Sequence, residues 1–236
     1  MSPIRRFASV EGRLVPHRWD WAEANAGRIA DNWARRVAAK PAMFNGPVLM
    51  LAGLDEGAED RLSVRFFETD YAHLTAWLDI GHPREVAMNG FAMGALCGAD
   101  GPFILGRMAA HTANAGQLYF PAGTPDLGDV TADGAVDLAA SLLREITEET
   151  GIAPEECEVE PRWILVEEEG RVAFMRIVRL KADAAEACRR IRRFLGADPQ
   201  AELADVVTAS SPADIDPATM PAYLRRFLAA AFSQTL

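Results

Sequence analysis

The 236 residues carry a formal charge of -10, with half of the side chains hydrophobic and a quarter charged. That balance supports a soluble globular chain with a sizeable core and excludes a disordered or fibrous one. No run approaches the roughly 18 apolar residues of a membrane span, and the acidity opposes broad attraction to nucleic-acid phosphates. Cys97, Cys157 and Cys188 are odd in number and widely spaced, which argues against a disulfide framework or a zinc site. The start has no signal-peptide pattern, so a cytoplasmic address is expected. A small ligand is favoured, and an anionic one would need local arginines or a divalent cation to recruit it.

In chain order, residues 22–39 place Ala26, Ile29, Ala30, Trp33 and Val37 at helical intervals before Pro41 stops the pattern. Residues 47–52 and 61–68 read as strands across a Gly/Asp-rich turn, and 71–78 as a short helix. A domain boundary is placed near Pro83. Residues 91–97 and 101–107 form an expected hairpin about the turn 98–101, followed by a short strand at 117–121. Beyond the helix 138–150, residues 162–167 and 172–180 read as an antiparallel pair turning at 168–170. A helix at 184–195, a strand at 203–208 and a helix at 217–232 complete the pattern. The expected architecture is α/β (α+β): a mixed sheet flanked by helices over 89–236, plus a smaller N-terminal α+β domain over 1–88.

The chemistry concentrates in one helix. Asp137 is an N-cap residue and Gly151 a terminating glycine. Between them Leu138, Leu142 and Ile146 make an apolar stripe, while Glu145, Glu148 and Glu149 stand at i, i+3 and i+4 on another face. Like charges at that spacing repel, and the negative end of the helix dipole worsens the repulsion. A solvated surface is one explanation. A site for a hard divalent cation, which takes oxygen ligands and holds phosphates, is the other. Arg144 could brace the carboxylates in a bidentate pair.

The stretch REITEETGI, residues 144–152, matches residue for residue the second half of the Nudix box, G-x5-E-x7-R-E-U-x-E-E-x-G-U. Upstream, Gly123 holds the box glycine and Asp129 stands where that family has glutamate. Fourteen residues instead of seven separate Asp129 from Arg144, so an insertion occupies 131–137. The chain thus resembles Nudix hydrolases, and the resemblance implies a Nudix-type α/β/α sandwich. It also implies Mg²⁺- or Mn²⁺-dependent hydrolysis of a diphosphate bond in a small nucleoside diphosphate-linked substrate, such as a nucleotide sugar or an ADP-ribose-like compound.

Carried onto this sequence, the resemblance makes Glu145, Glu148, Glu149 and the Ala122 carbonyl metal ligands, with Arg144 orienting the glutamates. Glu145, Glu148, Arg144 and Glu202 form the catalytic set, Glu202 being the candidate base ahead of the last strand. Arg107, His111, Asn114 and Gly123 are candidate substrate contacts. Glu167, Glu168 and Glu169 are expected to be solvated at a hairpin turn. Trp19, Trp21, Trp33 and Trp77 are expected to fill the core of the N-terminal domain, which would serve as a lid or a homodimer contact. Trp33 and residues 44–47 (FNGP) ahead of such a region also resemble UDP-sugar Nudix hydrolases. The competing reading is a Nudix-fold module that senses a nucleotide without turnover.

Overall fold

A computed structural model describes residues 3–41, 43–81 and 87–236. The expected boundary at Pro83 lies outside them. The first part of the chain runs β1 (Arg5–Phe7), β2 (Ser9–Leu14), α1 (Asp20–Ala24), α2 (Ala26–Ala39), β3 (Pro47–Glu56), β4 (Arg61–Asp70) and α3 (Tyr71–Ile80). It continues through β5 (Asn89–Cys97), β6 (Phe103–Met108), β7 (Leu118–Tyr119), β8 (Ala122–Gly123), β9 (Ala135–Val136) and α4 (Leu138–Thr150). The last part holds β10 (Cys157–Val159), β11 (Trp163–Glu168), β12 (Arg171–Leu180), α5 (Ala184–Leu195), β13 (Leu203–Ala209) and α6 (Ala222–Phe232). The fold is mixed α/β.

The larger sheet follows the order β1-β11-β12-β5-β6-β13, with the short strands β7, β8 and β10 paired onto β6, β5 and β12. At its centre β5 and β12 run parallel, Asn89 opposite Arg171 through Cys97 opposite Arg179. All nine β5 residues are buried, as expected for a strand covered on both faces. Alternation assigns the two faces. Ala92 and Leu96 of β5, with Val172, Phe174 and Val178 of β12, join the core shared with Leu142 and Ile146 of α4 and Ile191 of α5. Phe91, Met93 and Ala95, with Ala173 and Met175, face Tyr223, Leu224 and Phe227 of α6. The expected 91–107 hairpin is only partly made: β5 and β6 share the single pair Cys97–Phe103, because β8 takes the edge of β5 at Ala92 and Met93.

The smaller sheet has the order β3-β4-β2-β9. Beneath it Trp19, Ile29, Met50, Phe67 and Trp77 form a core of their own, with Trp21 and Trp33 packed against it. The division at residue 88 is crossed repeatedly. β1 pairs with β11 in the larger sheet, and β9 closes the smaller sheet onto β2. The Leu49 amide donates to the Pro125 carbonyl at 2.7 Å. Leu49, Leu51, Val64 and Phe66 share one core cluster with α4.

The insertion has a defined place. The Thr131 amide donates to the Ala135 carbonyl at 2.8 Å and the Gly134 amide to the Thr131 carbonyl at 2.9 Å, forming a tight turn. The returning strand β9 lies against β2, with Gly12 opposite Val136 and Arg13 opposite Ala135. A Cβ on Gly12 would stand 2.9 Å from the Val136 carbonyl oxygen and 3.0 Å from its Cβ, so only glycine allows this approach.

Candidate active site

Helix α4 forms as its sequence requires. The Asp137 carboxylate caps it by accepting from the Ala139 and Ala140 amides at 3.1 and 2.9 Å. Leu138, Leu142 and Ile146 are buried against the sheet, which turns Glu145 and Glu149 toward the strand β8 that carries the box glycine. The Glu149 carboxylate accepts from the Ala122 amide at 3.2 Å. Glu145 packs against Gly123 so closely that a Cβ there would lie 2.3 Å from its Oε1. The glycine gives the carboxylate its place beside the backbone.

Arg144 and Asp129 form the brace. The Asp129 side chain is 4% exposed, held at the end of the 3₁₀ turn Leu127–Asp129. Arg144 Nη2 donates to both of its oxygens, at 2.8 and 3.0 Å. The same guanidinium lies 3.3 Å from Glu145 and 4.0 Å from Glu148. Asp129 therefore holds the arginine that lies beside the glutamates, and the 3₁₀ turn presents its carboxylate to Arg144. The Asp137 amide donates to the Asp129 carbonyl at 2.9 Å, tying the brace to the start of α4.

Burial pushes the Glu149 carboxyl up to about 8, against the Ala122 amide, which lowers it; the charges of Glu145, Glu202 and Glu148 add to the rise. Burial likewise pushes Glu145 up to about 7, opposed by Arg144 and reinforced by Glu148, Glu202 and Asp129. Four glutamates from two distant stretches thus share one electrostatic field. Two of them, Glu149 and Glu202, line a cleft of about 560 Å³ with Ala122 and Gly123. Glu202 is fixed by its backbone, whose carbonyl accepts from the Ala109 amide at 2.7 Å. Among the described residues no three acidic, thiol or imidazole groups stand as a ready-made metal cage. The donor set nevertheless suits a hard cation: carboxylate oxygens, a surplus of negative charge, and one arginine already engaged by Asp129.

The substrate candidates separate. Asn114 lines the cleft. Arg107 donates to the Gly116 carbonyl at 3.2 Å and supports its own loop. His111 lies in a different hollow, beside Arg192 and Asp205. The Glu148 side chain is 61% exposed and does not line the cleft. The turn glutamates are not merely solvated, as their sequence position suggested. Glu167 pairs with Arg5, and Glu168 with Arg226 at 2.7 Å, because β1 and α6 bring arginines to that turn.

Solved structures of similar fold include Nudix hydrolases. RenU, a Nudix hydrolase from M. smegmatis, is 14% identical and covers 63% of this chain and 88% of its own, with a TM-score of 0.43. The MutT protein of Methanosarcina mazei Go1 is 19% identical over 62% of this chain and 93% of its own, with a TM-score of 0.40. A C. elegans Ap4A hydrolase is 16% identical over 62% and 98%, at 0.43. No family model and no curated protein matches the chain.

The strand-to-cleft geometry also brings in residues that motif reading passed over. Arg171, Tyr119, Tyr223 and Arg225 line the cleft, and Leu78 of α3 contributes to its wall from the N-terminal region. Arg171 could have been found from alternation, since it shares a face of β12 with Ala173 and Met175. Nothing local in the sequence marks Leu78.

Proposed function

We propose that the protein is a Nudix-type hydrolase that cleaves a diphosphate bond in a small nucleoside diphosphate-linked substrate, with Mg²⁺ or Mn²⁺ as cofactor. The observation that carries this reading is that Glu149 and Glu202 line one cleft with Gly123, against which Glu145 packs, beside a motif arginine that is already braced. Glu145, Glu149 and the Ala122 carbonyl would hold the cation, with Glu148 reaching in from the rim. The cation would supply charge neutralisation on the attacked and leaving phosphate oxygens. Arg144 keeps Glu145 oriented through its bond to Asp129. Glu202 stands exposed in the cleft and takes a proton from the attacking water as its oxygen bonds to phosphorus and the bridging P–O bond breaks. The leaving phosphate carries away the electron pair of that bond.

The N-terminal region belongs to this site as wall and buttress. It supplies Leu78 to the cleft and supports the box loop through the Leu49–Pro125 hydrogen bond. Tyr71, at the start of α3, is pushed up chiefly by burial, and the charge of Glu202 adds to the rise.

The test is phosphate release from nucleotide sugars, ADP-ribose, dinucleoside polyphosphates and nucleoside triphosphates, with Mg²⁺ or Mn²⁺ and a coupled phosphatase. Turnover abolished by EDTA is expected. Silence across the panel, with the cation still binding, would replace the enzyme by a nucleotide-sensing module.

A further inference from the structure

The cleft continues past the glutamates along β5. Gly123 and Ala122 pair with Ala92 and Met93, whereas Arg171 pairs with Asn89. Ala92 lies three strand steps from Asn89, roughly 10 Å at about 3.3 Å per residue. At that far end Tyr223 packs edge-on against Phe91, with ring centres 5.4 Å apart, and stands 6.5 Å from Tyr119. Burial raises both tyrosine hydroxyls, and the nearby charge of Arg171 partly offsets the rise in each.

Two cations here lack protein partners. Among the described residues, neither the Arg171 nor the Arg225 guanidinium makes a hydrogen bond or ion pair, and Arg225 Nε is buried without an acceptor. The adjacent Arg226 is committed, donating to the Glu167 carbonyl and to Glu168, both at 2.7 Å. It thereby neutralises Glu168, an acid that also lines the cleft, and leaves Glu169 exposed at the rim. A buried guanidinium donor without a partner is costly, and folded proteins rarely keep one unless something else satisfies it. Arg225 carries that buried donor, and the half-buried Arg171 adds a second guanidinium without a protein partner; together they supply donors and no acceptor, which matches the oxygen pairs of a phosphate better than a neutral sugar or base.

We propose that Arg171 and Arg225, walled by Tyr119 and Tyr223, form a second anion seat for a phosphate group that the substrate carries remote from its scissile diphosphate. The proposal rests on the hydrolase reading of the same cleft and narrows its substrate to a nucleoside diphosphate derivative with an additional phosphate.

The test is calorimetric binding to the full chain with Mg²⁺, comparing adenosine 5′-monophosphate with the 2′,5′- and 3′,5′-bisphosphates. At least one bisphosphate is expected to bind wild type roughly tenfold more tightly than the monophosphate, the scale of a bidentate charged contact. Arg171→Gln and Arg225→Gln should each erase most of that advantage and leave monophosphate affinity unchanged, while Arg225→Lys should keep part of it. Equal binding of all three nucleotides by wild type would overturn the seat. Inorganic phosphate that binds through Arg225 while no bisphosphate gains affinity would overturn its assignment to substrate. A bisphosphate preference in a protein that hydrolyses no diphosphate would sink the hydrolase reading and leave the seat standing.

Discussion

Helix α4 and the 131–137 insertion sit on either side of the same N-cap and are specified in opposite ways. The helix is local: cap, apolar stripe and carboxylate spacing all lie within one stretch of sequence, and the cap and the stripe do in the fold what their positions imply. The insertion has no such local logic. It exists to meet Gly12 and Arg13, more than a hundred residues earlier, where the Arg13 guanidinium donates to the Asp133 carbonyl at 2.8 Å and its carboxylate at 3.1 Å. The helix carries the proposed chemistry. The insertion ties that helix to a wall the motif does not mention.

The largest break in this pairing is expected on the helix. Glu149→Gln keeps the shape and removes a charge, so kcat should fall by on the order of 10²–10³ with the fold retained, measured as phosphate release beside a thermal melt. A variant as active as wild type would remove α4 from the chemistry. Asp129→Ala comes next, since it frees Arg144 from its buried partner. Losing hydrogen bonds to a charged group should cost about 1–3 kcal/mol of stability and lower kcat as Glu145 loses its orientation. An unchanged kcat would show that Arg144 holds its position without the aspartate.

Protonation separates the site from its frame. Glu145 and Glu149 have folded-state values raised to about 7 and about 8, from 4.5. Between 4.5 and about 8 the folded state therefore binds more protons than the unfolded state, and stability without metal should fall as pH rises through that window. Mg²⁺ must displace those protons, so its affinity should climb over the same range and recover the lost stability. Melts with EDTA and with Mg²⁺ at pH 6 and pH 8.5 check both arms. Parallel curves would mean that the cation binds elsewhere.

How much was legible follows the same division. The helices 138–150 and 184–195 carry their own caps and stripes and occur at those bounds. Asp129 was identified as the departure from the motif, but its role needed the 3₁₀ turn that delivers it to Arg144. The strands β1, β2 and β9 went unread because each is short and gains its meaning from a distant partner: β1 from β11, and β2 from β4 and β9. Arg171 and Arg225 were passed over for a similar reason. One begins a strand and the other lies on a helix more than fifty residues later, and only the sheet makes them neighbours of one cleft.

The smallest effects on turnover are expected where the insertion meets the wall, and they sharpen the comparison most. Gly12→Ala places a methyl against the Val136 backbone, so the β2–β9 pairing must shift to relieve the contact, and such overpacking should cost about 1–3 kcal/mol. Arg13→Ala removes an exposed pair and should shift stability by no more than about 1 kcal/mol. Because β9 leads directly into Asp137 and the brace, displacing it should also lower kcat in Gly12→Ala, whereas Arg13→Ala should leave kcat intact. If Gly12→Ala loses stability but keeps full turnover, the wall supports the fold alone and the site is held by Asp129 and Arg144 without it. If turnover falls with stability, the first 88 residues act on the chemistry through β9, and the chain works as one catalytic unit.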